Sequence, residues 1–222
     1  MSIPIDRLVR SRRKTVAIVI ERDGRLTVRA PLRLSAPRIQ EFVESHADWI
    51  AKNLARLRAA PPPPAQRFAD GETLLFLGRA YPLSIVPARR PVLAFDGAAF
   101  RLAESSQPKA AALFAGWYKQ QARLFLSERV PVLAGKFGFR YQKIRISSAR
   151  TRWGSCSSRG TLSFTYRLIM APAEVVEYVI VHELVHTQIK NHSKTFWNKV
   201  AELMPNYKRR LAWLKKNGKF LM

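Results

Sequence analysis

The 222-residue chain is 47% hydrophobic, and its 39 Lys and Arg outnumber its 15 Asp and Glu, giving a formal net charge of +24 at pH 7. That apolar content excludes wholesale disorder. A single cysteine, Cys156, excludes an intrachain disulfide, and no run reaches the roughly 18 apolar residues of a membrane span.

The elements follow in chain order. Met1 to Arg7 has no apolar core of the secretory kind, so no signal peptide is expected, and the lone thiol suits a reducing, cytoplasmic setting. Thr15 to Ile20 and Leu26 to Val28 are rich in β-branched residues and flank Asp23-Gly24, a hairpin signal. Ile39, Phe42, Val43, Ile50, Leu54 and Leu57 recur at helical spacing and predict one helix from Pro37 to Leu57. Pro61 to Pro64 then form a stiff connector. Leu74 to Leu77 and Tyr81 to Val86 flank Gly78-Arg79, and Val92 to Phe95 and Ala99 to Leu102 flank Asp96-Gly97; both pairs read as strands. A helix is expected from Pro108 to about Leu133, closed by Gly135 and Gly138. Lys143 to Ser147 and Leu162 to Tyr166 read as strands around a polar loop from Ser148 to Gly160. Pro172 can open the next helix, because its missing N–H costs nothing in a first turn. Two more helices are expected, Ser193 to Leu203 and Tyr207 to Lys216, with Gly218 beyond the second.

The chemistry lies in His182-Glu183-Leu184-Val185-His186. Histidines four apart on a helix share one face and can share one metal ion. Glu183, beside the first, can approach a metal-bound water without becoming a ligand. An open zinc site takes three protein ligands. His192, six residues past His186, is the candidate, with Asn191 able to take the left-handed turn that brings it back. Glu202 is its rival. Zinc with Glu183 as general base makes a hydrolase. Tyr207 and Arg210 are candidates for holding substrate or oxyanion by chain proximity alone.

His182 to His186, continued through Asn191-His192-Ser193-Lys194-Thr195-Phe196-Trp197, closely resembles the YgjP-like metallopeptidase family, related to the SprT-like and WLM peptidases. The resemblance extends to Arg152-Trp153-Gly154-Ser155-Cys156-Ser157-Ser158, Leu162-Ser163-Phe164, Arg167-Leu168-Ile169-Met170-Ala171-Pro172, Met204-Pro205-Asn206-Tyr207 and Trp213-Leu214, and so covers nearly the whole chain. It implies one Zn2+ held by His182, His186 and His192, with Glu183 as base. It also implies an α+β fold: N-terminal β-hairpins and a helix packed with a C-terminal zincin-like half carrying a small sheet and the HExxH helix. The division expected is 1–103, a β-rich region with one helix and a proline-rich connector at 59–65, and 104–222, the zincin-like region. Ile189 replaces the glycine of metzincins, so the chain is not placed there.

From Lys136 to Arg167 there are eight basic residues and no acidic one. With Trp153, Arg152 offers an anionic substrate group hydrogen bonds and stacking, whereas a Trp153 packed in the core would make this loop structural. Two further functions stay open beside the peptidase: a metal-dependent hydrolase of nucleotides or other phosphate anhydrides, and a basic protein or protease associated with nucleic acid.

Overall fold

The computed structural model describes residues 2–21, 23–59, 66–87 and 91–221. The chain divides into two units, Met1–Pro64 and Ala65–Met222. The connector expected at 59–65 lies, apart from Ala59, outside the described residues.

In the first unit Arg7–Ser11 is β1, Ala17–Ile20 is β2 and Leu26–Pro31 is β3. Asp23-Gly24 reverses the chain between β2 and β3, which pair antiparallel. Gly24 takes φ +85°, which a side chain resists. β1 gave no signal in the sequence; it runs parallel to β3 and completes the order β1-β3-β2. Leu26, Val28 and Ala30 alternate onto one face of β3, where they are buried with Ile39, Val43 and Ile50.

The single helix expected from Pro37 to Leu57 is in fact two, α1 (Ala36–Glu44) and α2 (Ala47–Ala59). Side chains at the break compete for one carbonyl. The Ser45 hydroxyl donates to Phe42 O at 2.9 Å, and His46 Nδ1 lies 2.8 Å from the same oxygen. The His46 amide therefore bonds back to Val43 O at 3.1 Å, and the helical ladder stops.

In the second unit Thr73–Phe76 (β4), Arg79–Val86 (β5), Leu93–Phe95 (β6) and Phe100–Ala103 (β7) form a sheet in the order β4-β5-β7-β6. Gly78, at φ +79° in the β4–β5 turn, lies so close to Pro172 that a Cβ there would sit 2.8 Å from the proline Cα. Leu74, Leu83, Phe100 and Leu102 share one core with Phe114, Leu126 and Val176. A boundary at 103 would cut through that core.

The long helix α3 (Ala110–Phe137) passes through Gly135 and is capped by Gly138 alone, in the left-handed region at φ 70°. Lys143–Ser147 (β8), Gly154–Cys156 (β9) and Thr161–Thr165 (β10) form a second sheet, order β8-β10-β9, with β8 parallel and β9 antiparallel to β10. β9 lies inside the segment expected to be an irregular loop. Three residues are too few to show a period of two.

α4 (Ala173–Val185) is apolar on all sides and buries Val175, Val176, Val179, Ile180, Val181, Leu184 and Val185. A helix apolar all round belongs inside a core. α5 (Lys194–Leu203) and α6 (Tyr207–Leu221) follow. Gly218, expected beyond the end of α6, is buried inside it. A Cβ there would sit 2.8 Å from Cζ2 of Trp153, so this glycine makes room for an indole on the helix surface. That packing offsets the roughly 1 kcal/mol that glycine costs a helix. Among the described residues no helix is long and apolar enough to cross a membrane. The fold is α+β.

Candidate metal centre

The last turn of α4 carries His182 and Glu183, and His186 is the residue that caps its C-terminal end. The helix ends in a tight turn, with Thr187 N–H bonded to Leu184 O at 2.9 Å and Ile189 N–H to Val185 O at 2.9 Å. Asn191, expected in the left-handed region, is not among the positive-φ residues described. Its Oδ1 instead accepts from Ser193 N–H at 3.3 Å, and that local turn does the work of reversal. Ser193 caps α5, accepting from Phe196 N–H. The chain thereby returns His192 to the end of α4.

His192 Nε2 lies 3.0 Å from His182 Nε2 and 3.1 Å from His186 Nε2. The three can offer one ligand atom each, all within 4.8 Å of one another. A tetrahedral ion with Zn–N bonds of about 2.0–2.1 Å holds its ligand nitrogens roughly 3.3–3.4 Å apart, so the spacing fits. Neutral imidazole nitrogens facing one another with lone pairs repel, and a shared cation resolves the repulsion. His186 Nδ1 lies 2.9 Å from Ile189 O. A proton on Nδ1 satisfies that carbonyl and leaves Nε2 free as a ligand. Among the described residues this is the group of His, Cys, Asp or Glu side chains arranged to hold a metal. Cys156, on β9, stands outside it and donates to Ser157 O at 3.4 Å. Glu202 pairs with Lys199 at 2.7 Å.

Rings build the surroundings. Phe196, fully buried, packs against all three imidazoles, with centroid distances of 4.8, 4.4 and 4.8 Å to His182, His186 and His192. Trp197 lies against His182 and His192. Tyr207 stacks on Trp197 at 5.6 Å and on Tyr178 at 6.4 Å, and Tyr178 meets His182 edge-on at 6.0 Å. These apolar walls have electrostatic consequences. Burial, reinforced by the neighbouring histidines, pushes His182 down to about 3. Burial also lowers His186, against the opposing Ile189 carbonyl. Both are neutral at pH 7, the form a metal requires.

Glu183 is 5% exposed, and its Oε2 has no hydrogen-bond partner among the described residues. Burial pushes its carboxyl up to about 8, while the positive charge of Arg152 pulls the other way. The carboxylate rests on the bare Cα of Gly154 in β9. A Cβ there would sit 2.5 Å from Oε1 and 2.7 Å from Cγ. Glycine is therefore required by close approach, not by backbone twist. Gly154→Ala is expected to displace the Glu183 side chain and destabilise the fold by about 1–3 kcal/mol, the usual cost of overpacking. Thermal melting read beside zinc content checks this; a melting temperature equal to wild type would refute it.

The residues proposed from the sequence for substrate contact separate here. Trp153 packs on Gly218 and lines a cavity of about 350 Å³ together with His182 and Glu183. Arg152 is exposed, within electrostatic range of Glu183. Tyr207 belongs to the ring layer. Arg210 lines a different cavity, with Pro172, Glu174, Asn206 and Trp213. Tyr178 gave no sequence signal, and nothing in the sequence pointed to the close contacts of Gly154 and Gly218.

Comparison with solved structures finds similarity to the metallopeptidase zymogen of Pyrococcus abyssi abylysin, with TM-score 0.38 and 20% identity over 41% of this chain and 93% of that one. The metallopeptidase zymogen of Methanocaldococcus jannaschii jannalysin gives TM-score 0.34 and 21% identity over 39% of this chain and 93% of that one. Comparison with curated proteins finds no match. The model of the YgjP-like metallopeptidase domain matches residues 14–217. With nearly its whole length matched and three histidines gathered where such a domain needs its metal, the chain belongs to the YgjP-like metallopeptidase family.

Proposed function

We propose that His182, His186 and His192 hold one zinc ion and that Glu183 is the general base for hydrolysis of a peptide bond. The observation that carries this reading is the convergence of the three ring nitrogens beside a buried, unpartnered carboxylate on the same helix. Zinc bound there would polarise the scissile carbonyl and lower the pKa of its water toward about 7. Glu183 takes the proton of the attacking water and returns it to the leaving amine. Its Oε2, without a partner among the described residues, is free to accept that proton. Arg152 keeps a positive charge near it.

The test is cleavage of a peptide mixture by the purified protein, lost on treatment with a chelator and restored by one equivalent of zinc. Cleavage indifferent to the chelator would overturn the reading. Phosphate or pyrophosphate release from nucleoside triphosphates, without peptide products, would replace it with the nucleotide-hydrolase alternative.

A second reading concerns where the substrate is met. The exposed face of α6 carries Lys208, Arg209, Lys215, Lys216 and Lys219, and the helix has no acidic residue. This favours nucleic acid as a docking partner and a cytoplasmic protease working on nucleic-acid-bound protein. If those five cations meet phosphates, duplex affinity falls on the order of 10²–10³-fold between 50 and 200 mM salt. A filter-binding titration checks this, and salt-independent affinity would refute it.

A further inference from the structure

The 350 Å³ cavity beside the histidines has a composition that the hydrolytic reading does not use. Tyr178 and Val179 stand one turn before His182 and Glu183 on the same face of α4 and form one wall. Leu211 and Leu214 of α6 line the cavity as well. The Trp153 indole, seated on Gly218, closes a third side. One cation stands among these residues. Lys215 is exposed and forms no ion pair with any described residue.

We infer that this cavity is the side-chain specificity pocket of the peptidase, taking a bulky uncharged residue next to the scissile bond, with Lys215 at its mouth turning away lysine and arginine. The inference rests on the peptidase reading for its orientation toward a scissile bond. The cavity reaches His182 and Glu183, so a side chain filling it belongs to a residue adjoining the bond under attack. Its volume falls in the range of pockets that enclose small ligands, enough for a leucine, methionine or phenylalanine side chain. Apolar walls reward each methylene of such a side chain. A lysine or arginine must instead bring its charge past Lys215 and shed its water among leucines and rings, and the one carboxyl lining the cavity, Glu183, is engaged with the attacking water on the peptidase reading. An aspartate or glutamate meets the same dry walls and, at the inner end, the Glu183 carboxylate.

The experiment uses the zinc-loaded full chain and three small hydroxamate probes, whose hydroxamate chelates zinc and whose side chain is isobutyl, benzyl or aminobutyl. Calorimetry gives their affinities for wild type, Lys215→Glu and Leu211→Trp, and mass spectrometry maps cleavage of a peptide mixture by the same proteins. Wild type is expected to bind the isobutyl and benzyl probes at least about tenfold tighter than the aminobutyl probe, since even one methylene in a pocket is worth roughly 10–200-fold. Lys215→Glu is expected to collapse that ratio and raise cleavage next to lysine. Leu211→Trp, by filling the cavity, is expected to weaken the benzyl probe most. Equal affinities in wild type, or a ratio unchanged in both variants, would overturn the pocket. Cleavage without side-chain preference would fell the pocket and spare the peptidase. Probe selectivity with no peptide cleavage would fell the peptidase and spare the pocket.

Discussion

Glu183→Gln is expected to lower peptide hydrolysis by about a hundred- to ten-thousand-fold while one zinc stays bound, the range that a positioned general base contributes. The substitution keeps shape. Glutamine fills the same space over Gly154 and the same inner end of the cavity, so packing is preserved. It removes the carboxylate that would accept a proton from water. It leaves the three ring nitrogens untouched, so metal content is expected to match wild type. Stability should hold, because the native carboxyl already lacks a hydrogen-bond partner at Oε2 among the described residues. Steady-state cleavage beside metal analysis reads both effects. Activity within tenfold of wild type would remove Glu183 from the reaction.

His192→Ala is expected to weaken zinc by more than about a hundredfold, the upper cost of losing an outer-shell partner, since a ligand itself is lost. Two imidazoles on α4 then remain, with water in place of the third. The fold should survive, because His192 is exposed and the buried side of α4 does not depend on it. Competition against a chromophoric chelator measures the affinity, and circular dichroism checks the fold. Full zinc retention would move the third ligand elsewhere, with Glu202 the first place to look.

The candidate metal site is legible in the sequence to the extent that it is local. His182 and His186 follow from helical spacing alone, and His192 follows from a short return of chain. The Asn191 turn is ambiguous in the sequence because an Asx hydrogen bond and a left-handed residue are two solutions to the same reversal. The β2–β3 hairpin stands where its β-branched runs and Asp-Gly turn place it, and α3 stands where a long helix is expected, although it continues past Gly135 to Phe137. The break at Ser45-His46 was missed because apolar spacing continues across it, whereas the cause is a polar competition for Phe42 O. Glycines were least legible. Gly218 reads as a helix stop until Trp153 is seen against it, and Gly154 reads as loop until Glu183 is seen on its Cα. Nothing in a one-dimensional pattern names the partner that makes a missing side chain necessary.

The deep burial of most of α4 has a consequence for how the protein is made. Seven aliphatic residues hold this helix in the core. Two donors therefore stand ready as soon as the chain has folded, and capture needs only the exposed turn that bears the third. On the proposed zinc reading, folding of the helix and capture of the metal are then separable steps.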